Sequence, residues 1–159
     1  MTTYAAETER LFLAPLGVQH LEDFHELWNN DEAVLWSYVP FPLSPSSKYG
    51  EDSRSKPKKN TLEESRDWLV NMILPTKETW DVDKYALLLK DDKNEKGGLK
   101  MVGFVGTNRW CEKGMEVGYC SNIKYWGTGF ITEGFKAFLE LYWTLPGRPL
   151  SFLSLPSCP

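Results

Sequence analysis

The spacing of apolar positions changes several times along the chain, and each change predicts a new element. Residues 11–16 form a short apolar run that predicts a first strand, with Pro15 near its end. From Val18 to Trp28 the apolar residues recur at steps of three and four, which predicts a helix with an acidic outer face. The chain is therefore predicted to begin with a strand followed by an amphipathic helix.

A second helix is predicted from a capping signal. Thr61 and Glu64 match the capping box, in which a hydroxyl and a carboxylate three residues apart each accept a hydrogen bond from the other residue's backbone N–H. Pro75 cannot continue a helix and is expected to end this one. The predicted buried face consists of Leu62, Leu69, Met72 and Ile73.

The second half of the chain is patterned first as strands and then as a helix. Residues 85–89, 101–106 and 115–120 are three apolar stretches separated by short polar loops, which predicts an antiparallel meander. Residues 130–143 then follow helical spacing. The apolar stripe of that helix is Phe135, Phe138, Leu139 and Tyr142. The order of elements predicts an α/β (α+β) fold with an antiparallel sheet and helices.

Two segments between the predicted helices have unusual composition. Residues 35–42 are rich in aromatic residues and proline, and we expect them to pack over the sheet. Residues 44–60 are polar and basic with several serines and prolines, which is typical of a mobile insertion. A nucleic-acid-binding role for its lysines is the less favoured alternative, because most charge runs are simply solvated.

Composition narrows the class of protein. The 159 residues are 42% hydrophobic, enough for one domain with its own core. The net charge of -4 argues against nucleic acid as the main partner. Three cysteines without a CxxC pair argue against a disulfide framework and a four-thiolate zinc site. The sequence shows neither a secretory signal nor an apolar run of about 20 residues, so a cytoplasmic or nuclear location is expected.

The candidate chemistry lies where the last predicted strand leads into the last helix. Gly127 and Gly129 precede that helix, and glycines there let backbone N–H groups at the positive end of the helix dipole approach an anion. Residue 132 is threonine, so the three-glycine dinucleotide fingerprint fails. The Walker pattern fails as well, because the chain has no Gly-Lys-Ser or Gly-Lys-Thr. The pattern therefore predicts an anion site of another kind.

Residues 124–129, Lys-Tyr-Trp-Gly-Thr-Gly, resemble the acetyl-CoA pyrophosphate loop of the GNAT superfamily of N-acetyltransferases, commonly written Gln/Arg-x-x-Gly-x-Gly/Ala. Lys124 departs from the first position but keeps a cation that could face a phosphate. The wider stretch 116–134 and the opening at 8–16 are similar to the ribosomal-protein N-acetyltransferase-like branch. The resemblance implies a GNAT domain over residues 8–143, with 44–60 as an insertion. It also implies the GNAT fold, a mixed and mostly antiparallel twisted sheet flanked by helices.

The resemblance implies direct acetyl transfer from acetyl-CoA to an amine acceptor, without a metal. In the family, the thioester lies beside the strand before the loop, and that strand's main chain binds the pantetheine amides. Val117, Gly118 and Tyr119 hold those positions here. The residues implied at the pyrophosphate are Lys124, Trp126, Gly127, Thr128, Gly129, Phe130, Ile131 and Thr132.

Several other polar residues are candidates for a role. The attacking amine must lose a proton, since an alkyl ammonium has a pKa of about 10.4, and the resemblance implies Glu116 as a base acting through a water. A cross-strand ion pair is the open alternative for Glu116. Glu133 lies in the first turn of a helix, where the dipole favours a carboxylate, so a structural role is expected. His20 and His25 are five residues apart, which is not the spacing of two metal-binding histidines on a helix. Cys120 is expected to be a small buried residue.

The family pattern breaks after Trp143. Family members continue with further strands and a helix, whereas only residues 150–155 of the tail at 144–159 predict a strand. We therefore expect a truncated or mispredicted product, or a degenerate member. An unpaired sheet edge would favour pairing of two copies. The leading hypothesis is an N-acetyltransferase acting on a protein N-terminus or a small-molecule amine; the alternative is a catalytically impaired fragment that binds coenzyme A or a partner chain.

Overall fold

The structure, a computed structural model, describes the backbone of residues 4–36, 59–79, 82–111, 114–148 and 153–154. Side chains are described over 4–33, 59–79, 82–108 and 114–148. The aromatic segment predicted at 35–42 and the insertion predicted at 44–60 lie almost wholly outside these ranges. Their roles stay predictions.

The described residues form a six-stranded sheet whose strands lie in chain order. The strands are β1 (Ala6–Glu7), β2 (Leu11–Pro15), β3 (Lys84–Lys93), β4 (Leu99–Cys111), β5 (Gly114–Ser121) and β6 (Leu153–Ser154). Strands β1 to β5 pair antiparallel, and β6 pairs parallel to β5. The predicted mixed α/β fold and its antiparallel meander are confirmed.

Four α-helices are described in addition to the sheet. They are α1 (Leu21–Trp28), α2 (Asp31–Trp36), α3 (Leu62–Trp68) and α4 (Phe130–Tyr142). A 3-10 turn, Val18–His20, leads into α1, and a π-helical turn, Leu69–Ile73, continues α3. Within the described ranges, no helix combines the length and the apolar character that crossing a membrane requires.

The capping box of α3 forms as predicted, but its buried face differs. The Thr61 hydroxyl accepts the backbone N–H of Glu64 at 3.1 Å, and the Glu64 carboxylate accepts the N–H of Thr61 at 3.2 Å. Leu69 is fully buried, whereas Leu62 and Met72 are exposed. The α-helical period fails beyond Leu69 because each π-helical turn contains more residues and rotates later side chains away from the expected face.

Helices cover both faces of the sheet. Phe24 and Trp28 of α1 and Leu69 after α3 are buried against one face, and Phe138 and Tyr142 of α4 are buried against the other. Central strand β3 is accordingly buried at every position from Lys84 to Leu89. A strand covered on both sides shows this continuous burial rather than alternation.

Helix α4 is the crossover between β5 and the parallel strand β6, as parallel neighbours require. The loop at the carboxyl end of β5 therefore leads directly into the N-terminus of α4. Among the described residues, strand β6 pairs with Met115 and Glu116. In the described part of the chain, the remaining edge of β5 has no strand on that side, so an open strand edge adjoins the loop.

Candidate functional site

The loop between β5 and α4 is shaped by its own hydrogen bonds. The side chain of Asn122 accepts the backbone N–H of Lys124 at 3.0 Å, which supports the 3-10 turn Ile123–Tyr125. The hydroxyl of Thr128 donates to the carbonyl of Tyr125 at 2.6 Å. Short-range polar contacts therefore define the loop before helix α4 begins.

Two glycines give the loop its turn. Gly127 and Gly129 have φ values of +75° and +82°, in the left-handed region, where other residues carry a penalty of roughly 1–2 kcal/mol. A Cβ added at Gly127 would meet no atom within 4 Å, so the backbone conformation, not space, requires glycine there. Gly129 is the N-cap of α4, and its carbonyl accepts the N–H of Glu133 at 3.0 Å.

Several backbone N–H groups converge on the start of α4. A helix leaves its first N–H groups without intrahelical acceptors, and here these belong to Phe130, Ile131 and Thr132. Among the described residues, these three groups and the N–H groups of Gly127 and Gly129 have no acceptor from the chain. With the positive end of the helix dipole, they fit an anion with several oxygens, such as a pyrophosphate.

Arg10, the residue before β2, connects the loop to the sheet. Its guanidinium reaches the Glu133 carboxylate at 2.7 Å, donates to the carbonyl of Thr128 at 3.1 Å and lies 4.4 Å from the ring centroid of Phe130. The hydroxyl of Thr8 also donates to Glu133, at 2.5 Å. Sequence reasoning missed Arg10, because no local pattern links residues 123 positions apart.

The partners of Glu133 keep it ionised. Burial alone would raise the pKa of its carboxyl, but hydrogen bonds from Thr8 and Arg10 outweigh burial and hold the pKa below its ordinary value. Glu133 therefore has the structural role expected for a carboxylate in the first turn of a helix.

Replacing Arg10 with alanine should lower the free energy of unfolding by about 1–3 kcal/mol, because it leaves a half-buried carboxylate without its charged partner. Urea denaturation followed by circular dichroism measures the change. Lys136→Ala removes a positive charge from the exposed face of the same helix and should have little effect. An equal decrease in the free energy of unfolding in both variants would show that the Arg10 contacts make no specific contribution to stability.

The side chain of Lys124 forms an ion pair with a residue of helix α1. Its ammonium pairs with the carboxylate of Glu26 on α1. The same carboxylate also pairs with Lys100 on β4. The cation that the sequence placed beside a phosphate is thus held, in this structure, by an acidic residue.

The three residues expected along the pantetheine arm lie on β5 beyond its pairing with β6. Val117 is buried beneath α4, while Tyr119 is exposed and contacts Phe135 edge-to-face, with ring centroids 6.0 Å apart. Gly118 lies between them, opposite Gly106 of β4. Their main chain follows the open edge of the strand that leads to the loop.

Glu116 faces away from α4. Because side chains alternate along a strand, Glu116 points opposite to Val117 and lies on the face covered by α1 and α3. It is only 3% exposed, and its carboxylate accepts from the side-chain amide of Asn108 at 2.9 Å. The Asn108 carbonyl oxygen in turn accepts from Lys84. The structure thus links Glu116 across the sheet to a neutral amide and, through it, to a cation.

Aromatic side chains surround the start of α4. The indole N–H of Trp126 donates to the carbonyl of Ser121 at 3.2 Å. Phe130 packs against Tyr125, with ring centroids 6.1 Å apart. Ile131 is half-buried against the sheet, whereas Thr132 lines a groove of about 610 Å³ between α4 and the residues before β2.

The histidines and Cys120 have local roles. His25 shares a hydrogen bond of 2.8 Å with Ser65, which joins α1 to α3, and His20 accepts the N–H of Gly17 at 3.3 Å. Cys120 packs beside the core under α1. Across the described part of the chain, no group of His, Cys, Asp and Glu residues is arranged to hold a metal ion.

The fold and the loop match one protein family. The model of the Acetyltransferase (GNAT) domain family matches residues 10–154. The chain therefore belongs to the GNAT acetyltransferase domain family, which confirms the superfamily inferred from residues 116–134. The match continues past Trp143 and includes β6. No curated protein matches the sequence.

Solved structures share the fold at low sequence identity. The RimL ribosomal L7/L12 α-N-protein acetyltransferase in complex with coenzyme A is 17% identical, with a TM-score of 0.58 over 88% of this chain and 67% of its own. The Salmonella typhimurium acetyl transferase that modifies the N-terminal serine of L7/L12 is 17% identical, with a TM-score of 0.58 over 89% and 68%. A GNAT acetyltransferase from Bacillus anthracis is 18% identical, with a TM-score of 0.50 over 84% and 63%. The chain thus spans about two thirds of the length of these structures.

Proposed function

We propose that this protein is an acetyl-CoA-dependent N-acetyltransferase that acts on a primary amine. One observation carries the proposal: the left-handed glycines at 127 and 129 precede backbone N–H groups at the N-terminus of α4 that have no acceptor among the described residues. This loop follows directly from β5, whose edge beyond its pairing with β6 is covered by no described strand. A pyrophosphate fits the N–H groups, and an amide-containing arm fits the strand edge. Coenzyme A combines both chemical features in one molecule.

The proposed binding roles follow the order of the chain. Backbone groups of Val117, Gly118 and Tyr119 on β5 would pair with the amides of the pantetheine arm. The pyrophosphate would then receive hydrogen bonds from the N–H groups between Gly127 and Thr132. Lys124 would supply a cation beside it once its ammonium leaves Glu26.

Glu116 is the proposed general base. In the reaction, the neutral amine nitrogen attacks the thioester carbonyl, the carbon–sulfur bond breaks, coenzyme A leaves as a thiolate, and the amine proton passes through a water to the base. A carboxylate held by Asn108 at 2.9 Å is fixed in one orientation, which general-base catalysis requires. Its burial excludes bulk solvent, so the proton must travel by a bound water.

The acceptor class rests on the structural neighbours. RimL is a ribosomal L7/L12 α-N-protein acetyltransferase, and the Salmonella neighbour modifies an N-terminal serine. We therefore place a protein N-terminus first among acceptors, with a small-molecule amine as the alternative. The fold alone is shared at 17% identity, so the acceptor needs a direct assay.

Acetyl-CoA should raise the melting temperature by several degrees, whereas NAD and ATP should not. Ligand at 100 times its Kd adds about 2.7 kcal/mol to the stability of the folded state. Differential scanning fluorimetry measures the shift, and a coupled thiol assay with an amine panel measures turnover. Binding without turnover would support the catalytically impaired alternative.

Gly127→Trp should abolish the acetyl-CoA shift, because the loop would lose its left-handed turn and its open space. Gly97 is a matched control, since it has a φ of +80°, has open space around it and lies in the turn between β3 and β4. Gly97→Trp should retain the shift. A well-folded wild-type protein that shows no shift with acetyl-CoA would refute the proposed function.

A further inference from the structure

A chain of four alternating charges connects α1 to the candidate anion site. The carboxylate of Asp23 lies 2.6 Å from the ammonium of Lys100, which also pairs with Glu26. The second oxygen of Glu26 pairs with Lys124. Asp23 and Glu26 lie on α1, Lys100 on β4, and Lys124 in the 3-10 turn three residues before Gly127. One ionic network therefore joins a core helix, the sheet and the loop.

The network runs from the interior to the surface. The Asp23 side chain is 4% exposed and also accepts the backbone N–H of Met101 at 3.0 Å, so its position is fixed. The Lys124 side chain is 66% exposed. Breaking a buried pair is strongly unfavourable, whereas an exposed pair is worth little. The Glu26–Lys124 contact is therefore the link that a competing anion can replace.

The shifted pKa values of Lys100 and Glu26 keep both groups charged. Burial would lower the pKa of Lys100, but its hydrogen bonds to Asp23 and Glu26 outweigh burial and raise it. Burial would raise the pKa of Glu26, but hydrogen bonds from Lys100 and Lys124 lower it. Two positive and two negative charges cancel, so the positive charge of Lys124 is matched within the chain before any ligand arrives.

We propose that Glu26 sets the affinity of the loop for the pyrophosphate of coenzyme A by competing for Lys124. This inference rests on the proposed function. When a pyrophosphate enters the loop, Lys124 exchanges the Glu26 carboxylate for a phosphate oxygen, and Glu26 keeps its pair with Lys100. Glu26 is thus a positioning residue that acts through Lys124 and lowers the affinity of the resting loop for anions.

Glu26→Gln should tighten binding of coenzyme A about three- to ten-fold at low salt. Glutamine cannot form an ion pair with the ammonium of Lys124, so the ammonium becomes available to a phosphate oxygen. Isothermal titration calorimetry measures Kd at two ionic strengths. The gain in affinity for coenzyme A should be smaller at high salt, because the screening length falls from about 10 Å at 0.1 M to about 3 Å at 1 M.

Three comparisons separate the effect of the Glu26–Lys124 pair from an effect of the protein's net charge on binding. Glu22→Gln makes the same charge change on α1, where Glu22 pairs with Lys96 at 2.7 Å, and should leave Kd unchanged. Pantetheine carries the same arm without phosphates, so Glu26→Gln should not change its binding. Lys124→Gln should weaken coenzyme A binding about three- to ten-fold, and adding Glu26→Gln to it should restore nothing.

The outcomes distinguish this inference from the proposed function. Wild-type protein that fails to bind coenzyme A refutes the proposed function. If the wild type binds coenzyme A and Glu26→Gln binds it with an equal Kd, the inference is overturned while the proposed function stands. The same holds if Glu26→Gln tightens binding as much in the Lys124→Gln background as in the wild type. If Glu26→Gln does not fold, the Kd of Lys124→Gln for coenzyme A tests the inference. An unchanged Kd in Lys124→Gln also overturns it.

Discussion

Replacing Glu116 with glutamine should lower kcat by about 10²- to 10⁴-fold while the acetyl-CoA shift in melting temperature persists, if Glu116 is the base we propose. Glutamine has the shape of glutamate and keeps an oxygen that can accept from Asn108, so the local packing survives. It cannot take a proton from the amine. Initial rates across a pH series, together with thermal shifts, separate lost catalysis from lost binding.

A matched variant keeps this result interpretable. Glu95 lies in the exposed turn between β3 and β4, so Glu95→Gln should retain the wild-type rate. If Glu116→Gln lowers the melting temperature but keeps a rate within about threefold of wild type, Glu116 has only a structural role through Asn108. That outcome would remove the proposed base without affecting the binding proposal.

Replacing Gly106 with alanine should destabilise the fold by about 3 kcal/mol or more. A Cβ at this position would lie 2.0 Å from the backbone oxygen of Asp83, far inside contact distance. That oxygen accepts the N–H of Thr107 at 2.9 Å, so the chain must move and weaken a bond between β4 and the residue before β3. Glycine is required here by the close approach of two backbones.

Gly98→Ala is the control for the Gly106 variant. A Cβ at Gly98 would lie 3.4 Å from the side chain of Asn94, an ordinary contact, so stability should change by less than about 1 kcal/mol. Urea unfolding of both variants gives the comparison. Equal stabilities would mean that the strands near Gly106 adjust freely, contrary to the packing described.

Local patterns were sufficient to predict most elements. Helix α1 follows its three- and four-residue spacing, α3 begins at its capping box, and α4 buries Phe138 and Tyr142 from its predicted stripe. The glycines before α4 marked the loop, because a left-handed backbone conformation strongly selects glycine. Each of these signals depends on residues a few positions apart, which one sequence displays directly.

The sequence alone did not predict the contacts between distant segments. Arg10 and Glu133 are 123 residues apart, and Glu26 and Lys124 are 98 apart. Exposed charged residues match many possible partners, so their pairing depends on how the sheet brings β2, α1 and the loop together. The exposure of Met72 likewise follows from the switch to a π-helical turn, which the spacing of apolar residues does not encode.

The sequence by itself determined the mixed fold, the glycine loop at the start of α4 and the family to which the chain belongs. Only the tertiary structure decided the face that Glu116 occupies, the attachment of the loop to Arg10 and the pairing of Lys124 with Glu26. The physical reason is the range of the interactions. Periodicity, capping and left-handed turns are local properties of the chain, whereas charge pairing and burial depend on segments that meet only after folding.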